Sequence, residues 1–217
     1  MSQENTQKRS IFVNVAVVIA LIFLLANVEQ FLRQQQTDPT LPRGFYGTQP
    51  LVMKGGDPYI RALMRTITAS EANDPRPYSL IYGGSRAKDL SKHPDTCITI
   101  RVGPNRGNCS TAAGRYQFLN TTWRKQAERY NSKTNGLLWG QTYSFEPMYQ
   151  DQVVHDWLSD PQAWGVDIAQ LLRQGKIEQV LRLLSGTWTS LGYGIETNSM
   201  SRHLPGIYQK MLQEELP

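Results

Sequence analysis

The sequence predicts an α+β fold, mainly helical with a small antiparallel sheet toward its front. Three observations carry this. Apolar residues recur with helical spacing in the stretch after Asp57 and in several later stretches; short β-prone runs bounded by Pro and Gly lie between Tyr78 and Val102; and no internal repeat divides the chain. With 217 residues, 40% hydrophobic and 19% charged, there is room for one ordinary domain and an appendage.

The appendage comes first. Residues 1–10 are polar and carry Lys8 and Arg9, and residues 11–28 are apolar apart from Asn14 and Asn27. Eighteen helical residues span about 27 Å, near the lower limit for crossing a bilayer. A cut after Ala26 or Asn27 would place Leu24 or Leu25 at −3, which signal cleavage disfavours, so the expectation is an uncleaved transmembrane helix. The basic residues before it put the amino terminus in the cytoplasm and the rest on the periplasmic side of a bacterial inner membrane. Residues 29–56, with repeated Gln, Pro and Gly, read as a linker.

The domain, residues 57–217, opens on Asp57-Pro58, a helix start that supplies a side-chain acceptor and a ring with no N–H to lose. Ile60, Leu63, Met64 and Ile67 line one face. Glu71 falls within about 20° of that stripe, where partial desolvation favours a protonated carboxyl and hence a general acid. The alternative is a solvated residue at a fraying end. Next, Tyr78 to Tyr82 and Cys97 to Val102 read as two strands of one sheet. Asn120-Thr121-Thr122 announces a helix carrying Trp123 and running to about Tyr130. Tyr149, Val153 and Trp157 mark another helix; Ile168, Leu171 and Leu172 a short one stopped by Gly175; Ile177, Val180, Leu181, Leu184 and Trp188 a long one; Leu204, Ile207, Tyr208, Met211 and Leu212 the last. Trp123, Trp157 and Trp188 sit on apolar faces and belong to the core.

The formal charge of +5 and a pI near 9.2 suit an anionic partner. The cations are scattered and no zinc-finger spacing appears, which speaks against nucleic acid. Cys97 and Cys109 lie in a Gly-, Pro- and Asn-rich loop; outside the cytoplasm they would form a disulfide, the alternative being two reduced thiols. His93, His155 and His203 show no metal-ligand spacing, and nothing calls for a metal or cofactor.

Taken in order, Ala69-Ser70-Glu71, Tyr82-Gly83-Gly84, Leu90-Ser91-Lys92-His93-Pro94, Ser110-Thr111-Ala112-Ala113-Gly114-Arg115-Tyr116-Gln117-Phe118-Leu119 and Thr187-Trp188-Thr189-Ser190-Leu191-Gly192-Tyr193-Gly194 resemble the lambda-phage-type endolysins, lysozyme-like muramidases that act as lytic transglycosylases. The resemblance spans roughly residues 57–212. The chain departs from the family pattern in a shorter segment between Glu71 and Gly83, in Lys92 where an acid usually precedes His-Pro, and in the missing proline after Trp188-Thr189-Ser190-Leu191. What the resemblance implies is a lysozyme-like fold with a cleft between a small β-containing lobe and a helical lobe. The substrate would be the peptidoglycan glycan strand, cut between N-acetylmuramic acid and N-acetylglucosamine, with Glu71 as the catalytic acid and a 1,6-anhydro product.

Around Glu71, Gln117 would bind a sugar acetamido group and Tyr193, between two glycines, would form cleft wall. Tyr116 would either stack on a pyranose ring or pack beneath the cleft. Asp89 is the candidate second carboxylate of a hydrolytic lysozyme, or else a solvated loop acid. Arg115 either pairs with a carboxylate or holds a loop, and His93 reads as structural. A tethered enzyme of this kind would serve phage lysis or a membrane-spanning secretion, conjugation or phage-entry assembly with its own protein partners. A non-catalytic glycan-binding scaffold is the reading from a different class.

Overall fold

Helix α1 (Pro58–Glu71) is the axis of the structure. Asp57 Oδ1 caps it, accepting from the N–H groups of Tyr59 (2.9 Å) and Ile60 (3.3 Å), with Pro58 in the first turn. The expected apolar face is buried, yet so are Ala62, Arg65, Thr66, Thr68 and Ala69 around the rest of the circumference. Its polar side chains tolerate burial because each finds a partner. Thr66 and Thr68 donate back to the carbonyls of Ala62 (2.8 Å) and Met64 (3.0 Å). Arg65 donates to Thr48 O and Glu215, and Arg61 to Glu215, tying α1 to the last helix. The computed structural model describes residues 45, 48–131, 134–135, 142–193 and 199–216.

The other helices surround α1: α2 (Asn120–Tyr130), α3 (Pro147–Leu158), α4 (Pro161–Trp164), α5 (Ile168–Arg173), α6 (Ile177–Leu184) and α7 (Leu204–Glu215). Helices α3, α5 and α7 pack directly on α1. The expected long helix through Trp188 stops at Leu184, and Trp188 sits beyond it, its indole N–H donating to Tyr116 O at 3.0 Å. The short α4 was not expected. Asp160 caps it and Gly165, at φ +72°, ends it. Phe118 lies amid Tyr116, Trp123, Trp157 and Trp188, with ring centroids 5.7 to 6.3 Å away. The three tryptophans are core, Trp188 from outside the helix that was expected to carry it.

The expected single sheet is smaller and differently built. Strand β1 (Ile98–Thr99) pairs antiparallel with β2 (Cys109–Ser110), Ile98 opposite Ser110 and Thr99 opposite Cys109. A second ladder joins β3 (Thr134–Asn135) to β4 (Thr142–Tyr143). Tyr78 is not in a strand. Pro77 opens a 3-10 turn over Pro77–Ser79, and only Leu80 and Ile81 form isolated bridges, to Arg86 and Ala113. A proline with φ fixed near −65° and no N–H favours the turn over a ladder. Cys97 and Cys109 are joined by a disulfide across the base of the β1–β2 hairpin, with their Cα atoms 5.5 Å apart.

The boundary expected at residue 57 falls too late. Thr48, Leu51 and Met53 are buried, the N–H groups of Val52 (2.7 Å) and Met53 (3.2 Å) donate to Asp151 Oδ2, and Arg115 donates to Gln49 O and Pro50 O. Pro50 and Gly55 suggest a tether by composition, but buried partners for this segment's backbone make it part of the domain. The tail and the anchor expected at residues 1–28, with the linker to residue 44, lie outside the described residues. Among the described residues no helix is long and apolar enough to cross a membrane.

Candidate active site

Glu71 ends α1 at the point where the helix leaves the core, and its side chain is half-buried. The 3-10 turn Thr189–Leu191 packs against this end of α1. From that turn the Ser190 hydroxyl donates to Glu71 Oε1 and stands 3.0 Å from Ser70 Oγ. A neutral hydroxyl can orient a carboxyl without neutralising it, as proton transfer requires. Ser190 belongs to the late motif, but sequence reasoning gave it no role. Nothing in spacing links positions 119 residues apart.

The turn is held in place by Gly192, buried at φ +86°, where a Cβ would come within 2.8 Å of Ser201 Cβ. Tyr193 follows, exposed and at φ +68°, with the Arg182 guanidinium 4.5 Å from its ring centroid. It stands three residues from Ser190, with its ring partly covered by Arg182.

The loop from Gly114 to Phe118 is closed by the two backbone hydrogen bonds between Ala113 and Phe118 (2.9 and 3.0 Å). Gly114 is obligatory at φ +75°: a Cβ there would meet Gln150 Oε1 at 2.3 Å and Phe145 Cζ at 2.7 Å. Gln117 occupies the left-handed region at φ +46° and is half-buried. Its amide nitrogen donates to Gly114 O (2.9 Å) and Leu80 O (3.4 Å). Both amide protons are thus engaged by backbone, and what the side chain can offer a sugar is its Oε1 acceptor.

Tyr116 requires a correction. It is fully buried, and its hydroxyl donates to Asp151 Oδ1 at 2.7 Å, so it packs beneath the loop and cannot stack on a pyranose. Burial together with the Asp151 charge pushes its phenol well above the ordinary tyrosine range. It is one member of a buried polar cluster. Asp151 also accepts from Tyr78 Oη (2.7 Å), and Tyr78 Oη accepts from Arg115 Nη1 (2.9 Å). Arg115 further donates to Thr68 Oγ1 (2.9 Å) one turn before Glu71. The sequence left Arg115 between pairing and loop-holding. It holds the 49–50 segment by hydrogen bonds and reaches the carboxylate only through Tyr78.

Asp89 is exposed. Its oxygens accept from the Ser91 N–H (2.8 Å) and hydroxyl (2.9 Å), and that backbone bond holds its carboxyl below the usual range. This is the geometry of a solvated loop acid in its own turn. His93 is buried, accepting at Nδ1 from Asp95 N–H (3.1 Å) and donating from Nε2 to Phe118 O (2.8 Å). Desolvation pushes its pKa down, consistent with a neutral structural imidazole.

Residues 61–213 match the family model described as Endolysin. The chain belongs to the Endolysin family. Among solved structures, bacteriophage lambda lysozyme complexed with a chitohexasaccharide is 26% identical, with a TM-score of 0.52, covering 73% of this chain and 97% of that one. Lysozyme from bacteriophage lambda is also similar, at 23% identity and a TM-score of 0.50 over 75% of this chain and 97% of that one. No curated protein sequence matches. The endolysin therefore has a lysozyme-like α+β fold, as the ordered motifs implied.

Proposed function

We propose that this endolysin cleaves the glycan strand of peptidoglycan between N-acetylmuramic acid and N-acetylglucosamine as a lytic transglycosylase, with Glu71 as the acid and then the base. In the first step the Glu71 carboxyl protonates the glycosidic oxygen as the bond to the muramic C1 breaks. In the second, the carboxylate takes the proton of the same sugar's C6 hydroxyl as O6 bonds to C1. The 1,6-anhydro sugar forms, no water is consumed, and the carboxyl is regenerated.

The observation that carries this reading is the half-buried Glu71 at the exit of the buried helix, oriented by Ser190 from a segment distant in sequence. Hydrolysis with Asp89 as second carboxylate is the rival. It is disfavoured because Ser91 occupies both Asp89 oxygens, while Asp74 is held by Arg86 and Asp95 by Asn120. Zymography on purified cell wall, with Glu71→Gln as control, tests the acid: equal clearing by both proteins refutes it. Mass spectrometry of digested sacculi tests the product, since reducing ends without the anhydro mass would establish hydrolysis instead.

The same reading takes residues 11–28 as an uncleaved anchor in the inner membrane, with the amino terminus cytoplasmic and the catalytic domain periplasmic. Protease accessibility in spheroplasts checks this: a domain protected until lysis would reverse the orientation.

A further inference from the structure

We propose that the lobe formed by residues 72–110 is a cationic docking surface for the stem-peptide carboxylates of peptidoglycan, an inference that rests on the glycan-cleaving reading above. The charge of this protein is unevenly placed. Residues 72–110 carry six basic and three acidic side chains, whereas residues 45–71 and 111–217 together carry thirteen and twelve. The lobe thus accounts for more than half of the formal charge of +5.

Its acids are already engaged. Asp74 is bound by Arg86, Asp89 by Ser91 and Asp95 by Asn120. Five of its cations, Arg76, Lys88, Lys92, Arg101 and Arg106, are exposed. Two of them ride on the β1–β2 hairpin, whose residues 101–109 are exposed throughout and whose base is closed by the Cys97–Cys109 disulfide. Such a finger contributes little to the core, so folding does not explain its charges.

The lobe is also continuous with the catalytic residues. Residue 72 follows Glu71 directly. The outgoing arm of the hairpin pairs with the 80–82 segment, through Tyr82 N–H to Ala112 O (2.8 Å) and Gly114 N–H to Leu80 O (2.7 Å), and Gln117 donates to the same Leu80 carbonyl. A chain whose sugars lie near Glu71 and Gln117 would carry its substituents past this lobe. A neutral amino-sugar backbone has no use for five cations. The lactyl-linked peptides of peptidoglycan, with their free carboxylates, do.

The test is co-sedimentation of full-length Glu71→Gln protein, in non-ionic detergent, with two substrates: intact sacculi, and sacculi whose carboxylates are blocked by carbodiimide coupling to methylamine. Intact sacculi should bind about tenfold more tightly at low salt. The difference should shrink as the Debye length falls from about 30 Å at 0.01 M salt to about 8 Å at 0.15 M. Adding Arg101→Glu and Arg106→Glu should remove most of the preference. The same charge change placed elsewhere, Arg124→Glu with Lys176→Glu, should leave it within about twofold. Equal binding to native and blocked sacculi overturns the proposal, as does equal loss in both double variants. So does tighter, Arg101- and Arg106-dependent binding to phosphatidylglycerol vesicles than to native sacculi. Charge-dependent binding by a wild-type protein that releases no muropeptides would uphold the docking surface and refute the proposed function. Muropeptide release without charge dependence would do the reverse.

Discussion

Replacing Asp151 by Asn tests the claim that a buried carboxylate, remote from Glu71 in sequence, fixes the architecture beneath the loop from Gly114 to Phe118. Asp151 is fully buried and accepts four hydrogen bonds, from Val52 N (2.7 Å), Met53 N (3.2 Å) and Tyr78 Oη (2.7 Å) on Oδ2, and from Tyr116 Oη (2.7 Å) on Oδ1. An asparagine fits the volume and can keep its oxygen toward the three donors at Oδ2, turning its nitrogen toward Tyr116. Each of the three retained bonds then falls from charge-assisted to neutral, a loss of about 1 kcal/mol apiece. Arg115, also fully buried, loses the anion it reaches through Tyr78. The expected destabilisation is about 3 to 4 kcal/mol in urea unfolding followed by far-UV circular dichroism. Tyr116→Phe removes one bond to the same carboxylate and should cost about 2 kcal/mol, with KM on sacculi unchanged. In a double-mutant cycle the two should couple by about 1 kcal/mol or more. A loss below about 1 kcal/mol for Asp151→Asn would refute the reasoning, and a KM raised by Tyr116→Phe would reinstate that ring as a sugar contact.

Three shorter predictions follow from the same geometry. His93 is kept neutral by burial, so its folded pKa lies below the unfolded value. The unfolded chain then takes up the proton first, and stability that is complete above about pH 6.5 declines as pH falls below it, by at most about 1.4 kcal/mol per pH unit. Urea midpoints from pH 7.5 to 5 should show a steeper decline for wild type than for His93→Gln. Gly114→Ala should destabilise by about 3 kcal/mol or more, because its Cβ would overlap Gln150 Oε1 and Phe145 Cζ at a positive φ. Soluble expression with an unchanged melting temperature would contradict this. Under the proposed mechanism Ser190→Ala should lower kcat roughly tenfold with little change in KM, since the hydroxyl orients the Glu71 carboxyl rather than the substrate. An unchanged kcat would remove Ser190 from the site.

Elements whose signal is local were legible in the sequence. Asp57 and Pro58 fixed the start of α1, the 3.6-residue spacing placed Glu71 beside its apolar stripe, and Leu204 to Leu212 marked the last helix to within a few residues. The reading faltered where partners come from elsewhere in the chain. Residues 48–53 look like a tether because Pro50, Gly55 and Gly56 surround them, but Asp151 and Arg115 supply their hydrogen bonds. A signal for Asp151 did exist. It shares a helical face with Val154 and Leu158, and an acid on an apolar stripe asks for buried donors. Tyr116 could not have been sorted from composition, since a stacking tyrosine and a packing tyrosine differ only in what lies opposite.

The sequence by itself determined the longer helices and their apolar faces, and the one carboxyl carried beside the apolar stripe of the central helix. These follow from short-range periodicity and backbone sterics, which act over a few residues. Only the tertiary structure decided that Ser190 would meet Glu71, that Tyr116 would lie beneath the loop, and that residues 48–53 would belong to the domain. Each of those depends on a hydrogen bond between positions tens to more than a hundred residues apart, and such a bond is specified by how the helices pack around α1.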